Sequence, residues 1–218
     1  MRLTAVLFDF GNTLFAHAPL PATIRQAAAS LGGHLSDGRA QELAALINAT
    51  AHTAEELQHP RDLDADVWRE RWHVLYSPAD DVLPGLGVAL YDLMHAPGEW
   101  QPYAESLSTL RALGDAGVPV GVVSNTGWDV RTVFRHHGVE ASVSHFVLSY
   151  EVGAVKPSPV IFETACAALE VDPATTLMVG DDPVADAGAV RAGLRTLLLP
   201  ALPPGASNGV DGVLALCR

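Results

Sequence analysis

Cysteine is nearly absent: Cys166 and Cys217 are the only two in 218 residues. Two cannot build a disulfide framework, and they lack the paired spacing of a zinc knuckle. Cys166 lies among Ala and Leu in a helical stretch and reads as a buried, inert thiol. No apolar run approaches the roughly 20 residues that a bilayer-spanning helix needs. The first residues pass into Asp9 without a small-residue cleavage pattern, so no secretory leader is expected and a cytoplasmic location is the default. Basic residues are scarce too: 13 Lys+Arg against 25 Asp+Glu leave a net charge of −12. A nucleic-acid surface needs clustered Lys and Arg, so the balance argues against that class of partner. The nine histidines are scattered, and none shows zinc-ligand spacing.

What is present belongs to a globular chain, with 49% hydrophobic and 17% charged residues. The run LTAVLF, Leu3 to Phe8, is short, apolar and closed by Asp9 and Gly11-Asn12, which suits a strand buried on both faces. Further strands are expected at Val118–Val123, Phe146–Ser149, Thr176–Val179 and Thr196–Leu199. Helical patterns lie between them at Ala104–Ala116, Trp128–His137, Pro159–Leu169 and Pro183–Ala192. Gly117, Gly138 and Gly193 stand where helix-ending glycines belong. Strand and helix in alternation predict a parallel sheet with helices on both sides. The segment from about Pro19 to Pro102 breaks the alternation. It has helical periodicity at Ile24–Leu31, Ala40–Ile47 and Val67–Leu75 and no convincing strand. The expected architecture is therefore a Rossmann-like α/β core, residues 1–16 and 103–218, with an inserted α-helical cap, residues 17–102. Pro200–Ser207 reads as a loop, and the end after it as surface.

In an open parallel sheet, ligands bind beyond the carboxyl ends of the strands. Asp9, Gly11, Asn12 and Thr13 follow the first strand; Ser124, Asn125 and Thr126 follow the second. Lys156 follows the third region, and Asp181, Asp182 and Asp186 follow the fourth. Crowded carboxylates repel one another unless a cation is present. Asp9 and Asp181, with a backbone carbonyl and waters, make a suitable oxygen shell for Mg²⁺. Lys156 would help to neutralise a bound phosphoryl group, and Ser124 and backbone N–H groups could donate to its oxygens. Asp9 is then placed to attack as a nucleophile. Thr13, Ser124, Asn125 and Lys156 are the candidate substrate contacts.

Four stretches, VLFDFGNTLF (6–15), VGVVSNTG (120–127), VLSYEVGAVKPSPVIF (147–162) and MVGDDPVADAGAVRAGL (178–194), resemble in order and spacing those of the haloacid dehalogenase superfamily. The helical insertion resembles the cap of the subfamily that carries it after the first motif. This resemblance implies a Mg²⁺-dependent hydrolase of small phosphorylated metabolites. It implies Asp9 as nucleophile and metal ligand, the Gly11 carbonyl and Asp181 as further ligands, and Ser124 and Lys156 as phosphate contacts. Asp182 and Asp186 would shape the metal shell or orient the lysine.

One position departs from the family pattern. Phosphatase members carry a second aspartate two residues after the nucleophile, as general acid and base; here that residue is Gly11. General acid–base catalysis contributes about 10²–10⁴-fold. The loss leaves two alternatives open: a 2-haloacid dehalogenase-like hydrolase, or a weakened member that binds phosphorylated ligands. Dehalogenases of the family replace the first acidic residue of the fourth motif, whereas Asp181, Asp182 and Asp186 are all retained. A phosphonatase would want a cap lysine, and none lies between Phe15 and Tyr103. His17 is a candidate substitute proton donor. Trp68, Trp72, Trp100 and Trp128 read as packing residues. Glu55-Glu56 and Asp62, Asp64 and Asp66 read as solvated cap faces.

Overall fold

The computed structural model describes residues 3–217. Five strands, β1 (Ala5–Phe8), β4 (Val120–Ser124), β5 (His145–Leu148), β6 (Thr176–Gly180) and β7 (Arg195–Leu198), form one parallel sheet in the order β5-β4-β1-β6-β7. Each lies within two residues of its expected position. The chain passes from β1 to β4 and β5 on one side and then crosses back to β6 and β7 on the other, so the strand order reverses beside β1 and a crevice opens at its carboxyl end. Val6 of β1 faces Val120 on one side and Leu177 on the other, and Phe8 faces Val122 and Val179.

Side chains alternate between the faces, as the two-residue period of a strand requires. Val6, Phe8, Val122 and Val179 pack against α6 (Ser106–Asp115) and α7 (Arg131–His136) through Leu110, Leu113, Val133 and Phe134. Leu7, Val123, Val147 and Met178 meet Ile161, Phe162 and Cys166 of α9 (Pro159–Ala168) on the other face. Gly117, Gly138 and Gly193 all adopt positive φ, as the helix-end pattern predicted. The expected helix over Pro183–Ala192 is a 3₁₀ segment at Asp186–Ala192.

Further expectations fail. A short strand, β3 (Trp100–Pro102), ends the helical segment and pairs antiparallel with β2 (Phe15–His17). Three residues carry no readable period, and the partner lies on the far side of the insertion. The tail after Ser207 is not surface: Asn208, Val210, Val213 and Cys217 are buried. Asn208 donates to the Thr13 carbonyl at 2.9 Å, tying the tail to the first-strand loop.

Between β2 and β3 the chain forms α1 (Leu20–Ser30), α2 (Asp37–Ala51), α3 (Ala54–Gln58), α4 (Ala65–Tyr76) and α5 (Leu86–Met94). Ile24, Ala28, Leu43, Ile47 and Leu90 gather into an apolar cluster of their own. Glu56, expected on a solvated face, is buried and paired with Arg61 and Arg71. The paired charges compensate its desolvation.

Candidate active site

Asp9 immediately follows β1, where its carboxylate enters the crevice. Lys156 lies in the loop between α8 (Ser149–Val152) and α9, and it is the only lysine of the sequence. Its buried ammonium donates to Asp9 Oδ1 and to Asp186 Oδ1, each at 2.6 Å. Asp186 is fully buried, and its other oxygen accepts from the backbone N–H groups of Asp181 and Asp182, each at 3.0 Å. Gly180 makes that geometry possible, since a Cβ there would stand 2.1 Å from Asp186 Oδ2. Asp181 completes the cluster: one oxygen each of Asp9, Asp181 and Asp186 lies within 4.8 Å of the others.

Three carboxylates face one ammonium. Burial pushes the Asp9 carboxyl up, to about 7; Lys156 opposes the rise, and Asp186 and Asp181 add to it. Asp181 is raised as well, by burial first and then by Asp186. Burial works against the Lys156 charge, yet Asp9 and Asp186 outweigh it and hold the ammonium above its usual value. A cation or a proton therefore relieves the cluster. Asp186 already has both oxygens engaged by internal donors, which leaves Asp9 and Asp181 as the carboxylates available to a metal. Hard oxygen donors of this kind fit a Mg²⁺-type ion.

The remaining predicted residues divide. Ser124, at the end of β4, is buried and lines the same cavity as Asp9 and Lys156. Asn125 also lines it, but its amide is engaged with the Lys156 backbone, donating to the carbonyl at 3.0 Å and accepting from the N–H at 2.7 Å. It positions the lysine loop. Thr13 is fully buried, does not line the cavity, and donates to Asp181 at 3.4 Å. Asp182 is exposed and caps the following turn, accepting from Val184 and Ala185 at 2.7 and 2.8 Å. In the first-strand loop the left-handed residue is Asn12 (φ 57°). Gly11 has room: an added Cβ would meet the Trp100 ring at 3.7 Å. His17 lies in an adjoining cavity, its ring nitrogens facing the Ala18 and Leu93 carbonyls.

Above this floor stands an aromatic roof whose four tryptophans read as packing residues in the sequence. The cavity measures about 390 Å³. From α4 it takes Tyr76, Trp72 and Trp68, whose ring centroids follow at 5.2 and 5.6 Å. His95 continues the arc at 6.1 Å from Trp68, and Trp128 of the core lies 5.2 Å beyond it. Trp100 on β3 and Phe10 close it, 4.6 Å apart. A readable signal existed: Trp68, Trp72 and Tyr76 recur every four residues, on one face of a helix. Trp68 donates to His95 Nε2 at 2.8 Å, and His95 Nδ1 donates to the Tyr91 carbonyl at 2.7 Å. Both ring nitrogens are thus engaged, and burial holds the imidazole below its usual pKa despite that carbonyl.

The sheet, its switch point and the clustered carboxylates define an α/β hydrolase. The chain matches the haloacid dehalogenase-like hydrolase model over residues 3–193 and belongs to that family. It is 29% identical over 213 residues to a ribulose-1,5-bisphosphate 5-phosphatase of Halopiger xanaduensis, covering 89% of this chain and 84% of that one. It is also 29% identical over 204 residues to a glyceraldehyde 3-phosphate phosphatase of Methanopyrus kandleri, covering 89% and 83%. A dehalogenase crystallised with an intermediate superposes with a TM-score of 0.71 at 21% identity, covering 100% of this chain and 98% of that one. That likeness is one of fold.

Proposed function

We propose that the protein is a Mg²⁺-dependent phosphatase of a small phosphorylated metabolite, working through an aspartyl-phosphate on Asp9. In this reading residues 1–16 and 103–218 are the catalytic core and residues 17–102 the cap. The observation that carries it is the seating of the single lysine between Asp9 and Asp186, with Asp181 beside them. Asp9 attacks phosphorus, and the bond to the leaving oxygen breaks. Water then attacks the same phosphorus, and the bond to Asp9 breaks to release phosphate. Lys156 and the Ser124 hydroxyl stabilise the phosphoryl oxygens, while Asn125, Asp182 and Asp186 hold the loops that present them. Thr13 acts through Asp181. Asp9, Asp181 and the Gly11 carbonyl would hold the metal, which supplies Lewis-acid neutralisation of phosphoryl charge when bound.

Retention of Asp181 favours this reading over dehalogenation. Two curated relatives aligned along more than four fifths of their length carry phosphatase names. The absence of a side chain at Gly11 favours esters whose leaving groups depart without a proton. A phosphate-release screen with and without Mg²⁺, run beside Asp9→Asn, tests the mechanism. Release should require Mg²⁺ and fall on the order of 10³-fold or more in the variant. Turnover that survives Asp9→Asn, or halide release from 2-haloacids without Mg²⁺, would overturn it.

A further inference from the structure

The roof of the cavity narrows the substrate. Seven rings line it in an unbroken arc from Tyr76 to Phe10, contributed by both the helical insertion and the core. Large apolar ring surfaces of this kind favour a planar aromatic guest, which stacks on some rings and meets others edge-on. About 390 Å³ accommodates a phosphate with one ring system attached.

Polar groups in the roof are few, and those of Trp68, His95 and Trp100 are engaged. Trp68 donates to His95, and Trp100 donates to the Met94 carbonyl at 3.0 Å. Trp72 differs: its Nε1 is buried with no hydrogen-bond partner. A buried donor without a partner is costly, and a small turn of the indole that presents it to a ligand acceptor in the cavity would relieve that cost. Arg61 stacks over the Trp72 ring, 4.9 Å from its centroid, and is itself paired with Glu56 and Asp62. Among the described residues lining the cavity, Lys156 is the one cationic side chain, and it belongs to the floor. A second phosphate or a carboxylate on the substrate would meet rings there, with no counter-charge, and its desolvation would go uncompensated.

Gly11 points the same way. A phenolic oxygen has a pKa near 10, against 15.7 for water, so an aryl oxide departs far more readily without a general acid.

We propose that the substrate is a phosphomonoester of a planar aromatic alcohol that carries no second anionic group. Its ring system occupies the aromatic arc, and a ring acceptor takes the Trp72 N–H. This proposal rests on the phosphatase reading and names its substrate class.

The test uses the full-length protein with Mg²⁺ and four esters: 2-naphthyl phosphate, quinolin-6-yl phosphate, glyceraldehyde 3-phosphate and ribulose 1,5-bisphosphate. Binding of the free alcohols 2-naphthol and 6-hydroxyquinoline is measured separately by calorimetry. The two aryl esters should exceed the other two on the order of 100-fold in kcat/KM. Trp72→Phe keeps a ring but removes the donor. It should raise KM for the quinolinyl ester about 5–10-fold and for the naphthyl ester less than about twofold, with kcat little changed. The wild-type comparison alone keeps the proposal falsifiable should that variant misfold. Hydrolysis of the sugar phosphates with no binding of either alcohol overturns the aromatic pocket and leaves the phosphatase reading standing. Binding of both alcohols without phosphate release from any ester supports the pocket and overturns the phosphatase reading.

Discussion

The floor of the cavity is assembled from groups in the loops beyond the strand ends, where Lys156, Asp186 and Asn125 are held by hydrogen bonds to one another and to the backbone. The roof is drawn from α4, the residues after α5, the β3 strand and the loop after β4, and its members meet through ring faces and edges. In the floor, one displaced group leaves charges and N–H groups unanswered. In the roof, a lost ring removes contact area and leaves the rest in place. Stability and chemistry are therefore coupled in the floor and separable in the roof.

The strongest way to break that contrast is at Asp186. Its carboxylate holds the Lys156 ammonium and two backbone N–H groups in a fully buried position. Asp186→Ala should destabilise the fold by about 3–5 kcal/mol, the cost of breaking a buried charge pair from one side. Guanidinium unfolding measures it. A loss under about 1 kcal/mol would show that the floor tolerates deletion as the roof is expected to.

The next largest effect falls at the seam between the regions. A Cβ on Gly127, in the loop after β4, would stand 2.2 Å from Trp68 Cβ. No rotation of the Trp68 side chain moves its own Cβ aside, so α4 must shift. Gly127→Ala should cost about 1–3 kcal/mol, as overpacking does. It should also raise KM several-fold by displacing the roof, with kcat falling less. Thermal melts and steady-state kinetics on one ester separate the two. An unchanged KM would mean that Trp68 does not bear on the substrate.

The same contrast governs what could be read from sequence. Asp9 and Asp181 were legible because a short apolar strand fixes the position of the residue that follows it, and Lys156 because its stretch resembles the family's third motif. The parallel sheet was legible from alternation alone. The β2–β3 ribbon was not, because neither three-residue strand has a period and their pairing spans the whole insertion. Nor was the buried tail, which is held by Asn208 reaching back to Thr13. Glu56 looked solvated because its partners Arg61 and Arg71 approach only after α3 and α4 fold together. The roof aromatics gave a periodic signal on α4, but periodicity marks a face without saying whether it meets protein or ligand. That distinction comes from the cavity.

Gly11 sits where the two regions touch, beneath Trp100, and it should give the smallest change in stability. An added Cβ meets the indole at an ordinary 3.7 Å, and the residue needs no positive φ. Gly11→Asp should therefore cost less than about 1 kcal/mol. If the floor lacks only a proton donor, the new carboxyl should raise phosphate release from alkyl esters about 10²-fold, the lower end of general acid–base catalysis. Aryl esters, whose oxides leave unaided, should gain little or lose through crowding against Trp100. The measurement is the ratio of alkyl to aryl kcat/KM in the two proteins. A ratio unmoved by the substitution would mean that chemistry at this floor does not wait on a proton, and that the glycine reflects the shape of the roof above it.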